Sequence, residues 1–165
     1  WAVVRESMQW VANNVKNVDT VSIFDVGDER DIHPRKKQPV GERLAQAARA
    51  MAYGEKVTPA GPEFASASFS GSQAVVKFKN VGAGLQAKDG ELLGFTLAGE
   101  DKKFYHATAK IEGDTVVVTS DKVAAPKAVR FGWANFPVIN LWNKDGLPAS
   151  PFRSDDWPVV KQANK

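Results

Sequence analysis

The sequence contains no cysteine among its 165 residues. This absence excludes disulfide scaffolds, thiol nucleophiles and zinc or iron–sulfur sites that have cysteine ligands. Histidine is scarce as well, because only His33 and His106 occur and they are far apart in the chain. A histidine-based metal site therefore has weak support, and we expect neither a metal nor another cofactor.

Long hydrophobic runs and concentrated charge are also missing. No apolar stretch approaches the roughly 18 to 20 residues that a membrane-spanning helix requires. The net charge is only +3, and the longest basic run is the three residues 35–37. Nucleic-acid-binding proteins concentrate basic residues on one surface, so this pattern favours partners other than nucleic acid or membrane.

No familiar nucleophile or phosphate motif is present. There is no G-x-S-x-G elbow, and the serines at 66, 68, 70 and 72 follow a strand-and-turn pattern that predicts surface hydroxyls. The glycines at 82 and 84 precede no helix, so they do not form a phosphate loop. The chain begins at Trp1 rather than Met, which indicates a processed product or a fragment.

The first 56 residues have the pattern of an α/β domain. Apolar residues Val4, Met8, Val11 and Val15 follow helical spacing over 1–16. Residues 20–26 read as a buried strand, and a second apolar stripe with Glu42, Arg43, Gln46 and Arg49 facing water predicts a helix over 40–53.

Helix, strand, loop and helix in this order are typical of the end of a parallel α/β sheet. A single strand cannot form a sheet, so the remaining strands are expected in sequence outside this chain. We assign 1–56 to the carboxy-terminal part of such a domain.

The pattern changes at a Pro- and Gly-rich cluster, which predicts a linker over 57–62. Short alternating segments follow between turn signals, at 64–69, 73–78, 92–97, 104–111, 115–119 and 128–133. Their spacing predicts an antiparallel β-sandwich or jelly roll over 63–158. Within it, 135–158 is expected to be irregular and to pack across a neighbouring surface, because its aromatic residues would be costly to expose. Residues 159–165 are expected to be a disordered tail.

The loop after the predicted strand is the candidate site. It contains Asp25, Asp28, Asp31 and His33 just past the strand, where α/β folds place catalytic loops. A carboxylate beside an imidazole is the pair that a general base needs. On residues alone, a catalytic and a structural role for His33 have about equal support. His106 falls on the polar face of an alternating strand, which favours a solvent-facing role.

Several blocks of the sequence resemble one family. Residues 31–37, 40–45 and 52–54 are similar to the last catalytic block of sialate O-acetylesterases, a branch of the SGNH (GDSL-like) hydrolases. Residues 61–62, 94–95, 129–133 and 140–153 resemble that family's carboxy-terminal half. The resemblance implies a flavodoxin-like SGNH α/β domain, present here as its carboxy-terminal remnant, followed by the β-sandwich.

The resemblance implies a serine esterase that removes acetyl groups from sugar hydroxyls, notably of 9-O-acetylated sialic acids. In such enzymes a serine attacks the acetyl carbonyl, a histidine accepts its proton and an acid orients the histidine. Only the histidine maps securely, onto His33. The superfamily places the acid three positions earlier, where this chain has Arg30, so Asp31, Asp28 or a dyad without an acid remain open. We take Asp31 as the candidate.

The nucleophile and the oxyanion-hole residues of the family have no counterpart here. The expected partner is therefore an amino-terminal chain or domain of the same esterase that carries the serine, and the chain alone is expected to be inactive. The family resemblance also implies a secreted or periplasmic location. An alternative is a module without catalysis, in which the β-rich part binds a glycan or supports a partner. Within the enzyme class, acetylated xylan or another polysaccharide is an alternative substrate.

Overall fold

The computed structural model describes residues 1–33 and 35–159. The predicted disordered tail lies outside the described residues except for Val159. Two helices, α1 (Ala2–Asn14) and α2 (Gln38–Met51), come before ten strands. The strands are β1 (Glu63–Ser70), β2 (Gln73–Lys79), β3 (Leu85–Ala87), β4 (Phe95–Ala98), β5 (Phe104–His106), β6 (Thr108–Glu112), β7 (Thr115–Thr119), β8 (Ala128–Phe131), β9 (Leu141–Asn143) and β10 (Phe152–Arg153).

Two four-stranded sheets and one two-stranded sheet make up the β-rich part. Their orders are β1-β2-β7-β6, β10-β8-β4-β5 and β3-β9, and every strand pair is antiparallel. The antiparallel β-structure predicted for the sandwich is therefore confirmed, and the described residues are mostly antiparallel β-structure with two helices.

The core lies between the two larger sheets. Val76, Val116 and Val118 come from one sheet, and Phe95 and Phe131 come from the other, all at most 1% exposed. These residues alternate with more exposed neighbours along their strands, as a strand with one buried face requires. The Phe152 ring bridges the sheets, because it lies 4.5 Å from the Phe64 ring on β1 and 5.9 Å from the Phe131 ring on β8.

One predicted strand divides between the two sheets. Residues 104–111 were expected to be continuous, but β5 pairs with β4 while β6 pairs with β7. The break falls at Ala107, whose backbone N–H donates to the Phe95 carbonyl. Alternation continues across the break, so the prediction that His106 faces solvent is confirmed.

The segment expected to be irregular contains two strands. β9 pairs with β3, and β10 adds to the edge of β8. The expected packing is confirmed for Leu141, Trp142 and Phe152, which are at most 8% exposed, whereas Phe136 is 43% exposed. These strands are only three and two residues long, so they are too short to show a periodic pattern in the sequence.

Helix α1 is confirmed, but its apolar stripe is not buried. Val4, Met8 and Val11 are 38–56% exposed, and the helix contains no buried residue. Its contacts with the sandwich are polar, because Arg5 donates to the Ala134 and Asn135 carbonyls and Glu6 accepts from Arg153.

Helix α2 is confirmed, although it begins two residues before the predicted start, with Pro39 in its first turn, where a proline is tolerated. The prediction that Arg43 faces water is wrong. Arg43 is 8% exposed and lies on the same face as buried Ala47. Its guanidinium donates to both carboxylate oxygens of Asp25 and to the Ser22 carbonyl, at 2.7–2.8 Å.

The predicted strand at 20–26 is wrong. The segment pairs with no strand among the described residues, and 24–26 form a turn in which the Val26 N–H donates to the Ile23 carbonyl. A strand requires the backbone groups of a neighbouring strand. The ten strands of the described residues all pair within the β-rich part, so the apolar run at 21–24 has no strand to pair with among them.

The predicted linker includes buried residues. Ala60 is 6% exposed, and Pro62 is fully buried. A Cβ atom at Gly61 would collide with the Pro148 carbonyl, so the backbone passes too close to residues 147–148 for any side chain.

Replacing Arg43 tests how the 20–26 segment is held. We expect Arg43→Met to lower the free energy of unfolding by about 3 kcal/mol, because the Asp25 carboxylate would be left without its cation in a largely buried position. Urea unfolding measures the loss. Arg49→Met on the same helix removes an exposed pair with Glu55 and should leave the urea midpoint nearly unchanged. Equal effects of the two variants would contradict the prediction.

Asn143 is the second buried polar residue of the fold, with 0% exposure. Its amide accepts from the Leu147 N–H at 2.9 Å and donates to the Asn80 carbonyl at 3.1 Å. We expect Asn143→Ala to cost about 2–4 kcal/mol in thermal unfolding, since both groups would be left unpaired and buried. Asn14→Ala, at an exposed position of α1, serves as the control and should stay within about 0.5 kcal/mol.

Candidate active site

The segment between the two helices brings the acidic residues and His33 together. Its first half is fixed from two sides, since Arg43 binds Asp25 and the Ser22 hydroxyl donates to the Ala149 carbonyl of the sandwich. Val26, at 7% exposure, ends the anchored part. The loop beyond it is exposed, so the candidate site is a surface loop attached to a rigid base.

His33 and Asp31 lie together in a tight turn. The Asp31 Oδ1 atom accepts a 2.8 Å hydrogen bond from the His33 backbone N–H and lies 3.4 Å from the His33 Nδ1 atom. A carboxylate at Nδ1 leaves Nε2 as the nitrogen that can exchange a proton with a reacting group. Both side chains are open to solvent, with 81% of His33 and 55% of Asp31 exposed.

The other two aspartates have different partners. Asp28 Oδ1 accepts from the Arg30 backbone N–H at 2.8 Å, which closes a turn of its own. The Asp25 carboxylate is occupied by the Arg43 guanidinium. Of the three loop aspartates, Asp31 has an oxygen at ion-pair distance from the His33 ring.

A recess of about 400 Å³ opens in front of this loop. It is lined by Asp25, Val26, Gly27, Asp28, Asp31, His33, Arg35 and Lys36. Acidic and basic side chains both border it, so it suits a polar ligand. Its lining includes no hydroxyl or thiol among the described residues, so the recess by itself offers a base but no nucleophile.

An apolar groove of about 350 Å³ adjoins the recess and shares Gly27 and Asp28 with it. Its walls include Met8 of α1, Ile23 and Phe24 of the anchored segment, and Phe136 and Pro137 of the sandwich. Phe24 also packs against the sandwich core. The candidate site therefore lies beside a joint between α1, the anchored segment and the sandwich.

The remaining sequence candidates lie elsewhere. His106 is exposed on β5, next to a separate surface recess with Ser120 and Lys122. The serines at 66, 68, 70 and 72 are exposed on or beside the β1–β2 hairpin, which confirms that they are surface hydroxyls.

Arg43 is the residue of this region that the sequence interpretation missed. Its spacing of three from Val40 and four from Ala47 places it on the inward face of α2, and that signal was present in the sequence. An arginine on an inward face requires a buried carboxylate, and Asp25 is the residue that supplies it.

Within the described part of the chain, no group of three or more His, Cys, Asp or Glu side chains is placed to hold a metal ion. None of the helices in this described part of the chain is long and apolar enough to cross a bilayer.

Comparison with known proteins found a likeness among solved structures. No protein-family model and no curated protein matched the sequence. Among solved structures, this chain is similar to a carbohydrate acetylesterase from Xanthomonas citri, with 48% sequence identity and a TM-score of 0.90. The alignment covers 95% of this chain but 37% of that one, so this chain spans little more than a third of its neighbour's length.

Proposed function

We propose that this chain supplies the general-base histidine of a serine esterase that removes acetyl groups from carbohydrates. The observation that carries the proposal is the 48% identity, over 95% of this chain, to a carbohydrate acetylesterase. The His33–Asp31 pair at an open recess supports it, because the pair has the composition of a base and its orienting acid.

The nucleophile is proposed to come from an amino-terminal chain or domain of the same esterase. Its absence from the recess and the 37% coverage of the neighbour both support a missing part. The exposed apolar residues mark where that part would pack, because Met8 and Ile23 line the apolar groove and are 56% and 42% exposed. The apolar run at 21–24 would then pair with a strand of the partner, as the last strand of an SGNH-type parallel sheet.

In the proposed reaction, the partner's serine hydroxyl attacks the acetyl carbonyl while His33 Nε2 accepts its proton. Asp31 accepts a hydrogen bond from Nδ1 and stabilises the imidazolium that forms. His33 then protonates the departing sugar oxygen. Water next attacks the acetyl-serine carbonyl while His33 accepts its proton, and His33 returns that proton to the serine oxygen as acetate departs. The 3.4 Å separation of Nδ1 and Asp31 is longer than a catalytic hydrogen bond, and such contacts shorten when substrate binds.

The substrate is proposed to be an O-acetylated sugar of the sialate type, with acetylated xylan as the competing substrate. The resemblance to sialate O-acetylesterases supports the first, and the neighbour supports carbohydrate esters in general. Comparing kcat/KM on 9-O-acetylsialic acid and on acetylated xylan distinguishes the two.

The need for a partner is tested by reconstitution. We expect this chain alone to leave 4-nitrophenyl acetate unhydrolysed above the rate of a denatured control, because it has no nucleophile at the recess. Co-purification with the amino-terminal part of the parent protein should give burst kinetics, the signature of an acyl-enzyme. Full activity of the isolated chain would contradict the proposal, and so would an assembly that binds glycans without any esterase activity.

The role of His33 is tested in the reconstituted esterase. His33→Ala should lower kcat by about three to six orders of magnitude with little change in KM, since the base acts on the transition state. His106→Ala is the control and should retain activity within about twofold, because His106 lines a different recess from His33. If the His33→Ala enzyme kept its activity, the assignment of His33 as the general base would be wrong.

The acid is tested by paired amide variants. We expect Asp31→Asn to lower kcat by about 10²- to 10⁴-fold, because an amide cannot stabilise the imidazolium. Asp28→Asn should lower it by less than about tenfold, since that carboxylate closes a neighbouring turn. The reverse ranking would give the role to Asp28, and two small effects would indicate a dyad. Circular dichroism of both variants checks that the loop substitutions leave the fold intact.

A further inference from the structure

Helix α1 faces the sandwich with its polar and aromatic residues. Glu6, Gln9, Trp10 and Asn13 follow i, i+3, i+4, i+7 spacing and line one cleft of about 200 Å³, whose opposite wall is formed by the sandwich. The apolar stripe of the same helix points away from this cleft and stays exposed. This orientation is the reverse of ordinary amphipathic packing, in which the apolar face covers the core.

Two tryptophans border this α1–sandwich cleft. Trp10 is 63% exposed, so its ring is available to a ligand. Trp133 on the opposite wall is fixed in place, because the Arg130 and Arg153 guanidinium carbons lie 5.5 and 5.3 Å from its ring centroid. The position of α1 is held by Glu6, whose carboxylate binds Arg153. The cleft is therefore a built feature rather than a gap between loosely packed parts.

The base of the cleft carries hydrogen-bonding groups and negative charge. Gln9, Asn13 and Glu63 line it together with the apolar ring of Phe64. The pKa of Glu63 is raised above its usual value, mainly because the carboxyl is buried and to a smaller extent because the Asp19 carboxylate is near. Among the charged residues that line the cleft, Glu6 and Arg153 pair with each other, so Glu63 gives the lining one excess negative charge, with the Lys79 ammonium nearby; the cleft therefore disfavours acidic ligands.

We propose that the α1–sandwich cleft binds one neutral pyranose unit of a glycan chain. A pyranose ring has an apolar C–H face that packs on an indole and equatorial hydroxyls that both donate and accept, which matches the exposed Trp10 in one lining with Gln9, Asn13 and Glu63. The volume is below the roughly 300 Å³ of pockets for drug-sized ligands, so it suits a single small ring. Carboxylated sugars such as sialic acid are disfavoured by this charge.

This cleft is separate from the recess at His33, since the two share no lining residue. The proposal concerns binding alone and requires no ester hydrolysis. Its failure and the failure of the esterase proposal are therefore distinguishable.

The test measures glycan binding by NMR titration of the Trp indole N–H signals, on this chain and on the reconstituted esterase. The probes are neutral hexasaccharides of β-1,4-linked xylose, glucose, mannose and N-acetylglucosamine, with an α-2,8-linked sialic acid tetramer as the anionic comparison. We expect saturable binding of at least one neutral probe, with the Trp10 signal shifted, and at least tenfold weaker binding of the sialic acid tetramer.

Matched variants locate the binding. Trp10→Ala should weaken it at least tenfold, while Trp1→Ala, which removes another exposed indole outside the cleft, should change it less than twofold. Asn13→Ala, a milder change at an exposed helix position, should weaken it at least threefold and guards against misfolding of Trp10→Ala. The proposal is overturned if no neutral probe binds, if Trp10→Ala and Asn13→Ala bind as the parent does, if the sialic acid tetramer binds equally well, or if the reconstituted esterase loses the binding.

Discussion

The joint between the helical segment and the sandwich depends on one guanidinium. Arg43 projects from α2, binds both oxygens of Asp25 and the Ser22 carbonyl, and lies with its guanidinium carbon 5.6 Å from the Trp142 ring centroid. Trp142 belongs to β9, so the helix, the base of the His33 loop and the sandwich meet at this single cation. A buried charge is tolerated only when it is paired, and here the pairing also sets where the loop begins.

The sandwich offers a rigid surface to that joint because its closing segment is tied back at several points. Asn143 binds the Leu147 N–H and the Asn80 carbonyl, and the Ser150 N–H donates to the Pro62 carbonyl. Phe152 then inserts between the sheets. Trp142, which contacts Arg43 of α2, lies in strand β9, whose three residues are 0–8% exposed. Ala149, which accepts from Ser22, is fully buried. The base of the loop therefore has little freedom to move.

The sequence predicted those parts of the fold whose signal is local and periodic. Both helices and the longer strands were predicted correctly because apolar residues recur along them every 3.6 or two residues, as Val4, Met8 and Val11 do in α1 although they stay exposed. Short strands such as Phe152–Arg153 form because a strand distant in sequence pairs with them, and they are too short to show a hydrophobic period in the sequence. The strand at 20–26 was predicted from composition, but a strand also needs a neighbour, and composition cannot supply one. The loop of the candidate site and its acidic residues could be identified from the sequence. The Asp25–Arg43 pair could not, because it forms only when two segments 18 residues apart meet in the fold.

The unpaired run at 21–24 explains why the candidate site is so open. An active site excludes water from its reacting groups, whereas 81% of the His33 side chain is exposed here. The anchored segment already has apolar side chains, Ile23 at 42% exposure among them, and Arg43 holds its base in position. Covering that run with a further strand would bury the apolar groove beside the recess and bring new walls up to His33. On this argument the sandwich contributes a fixed platform, and the exposure of His33 depends on what packs against it.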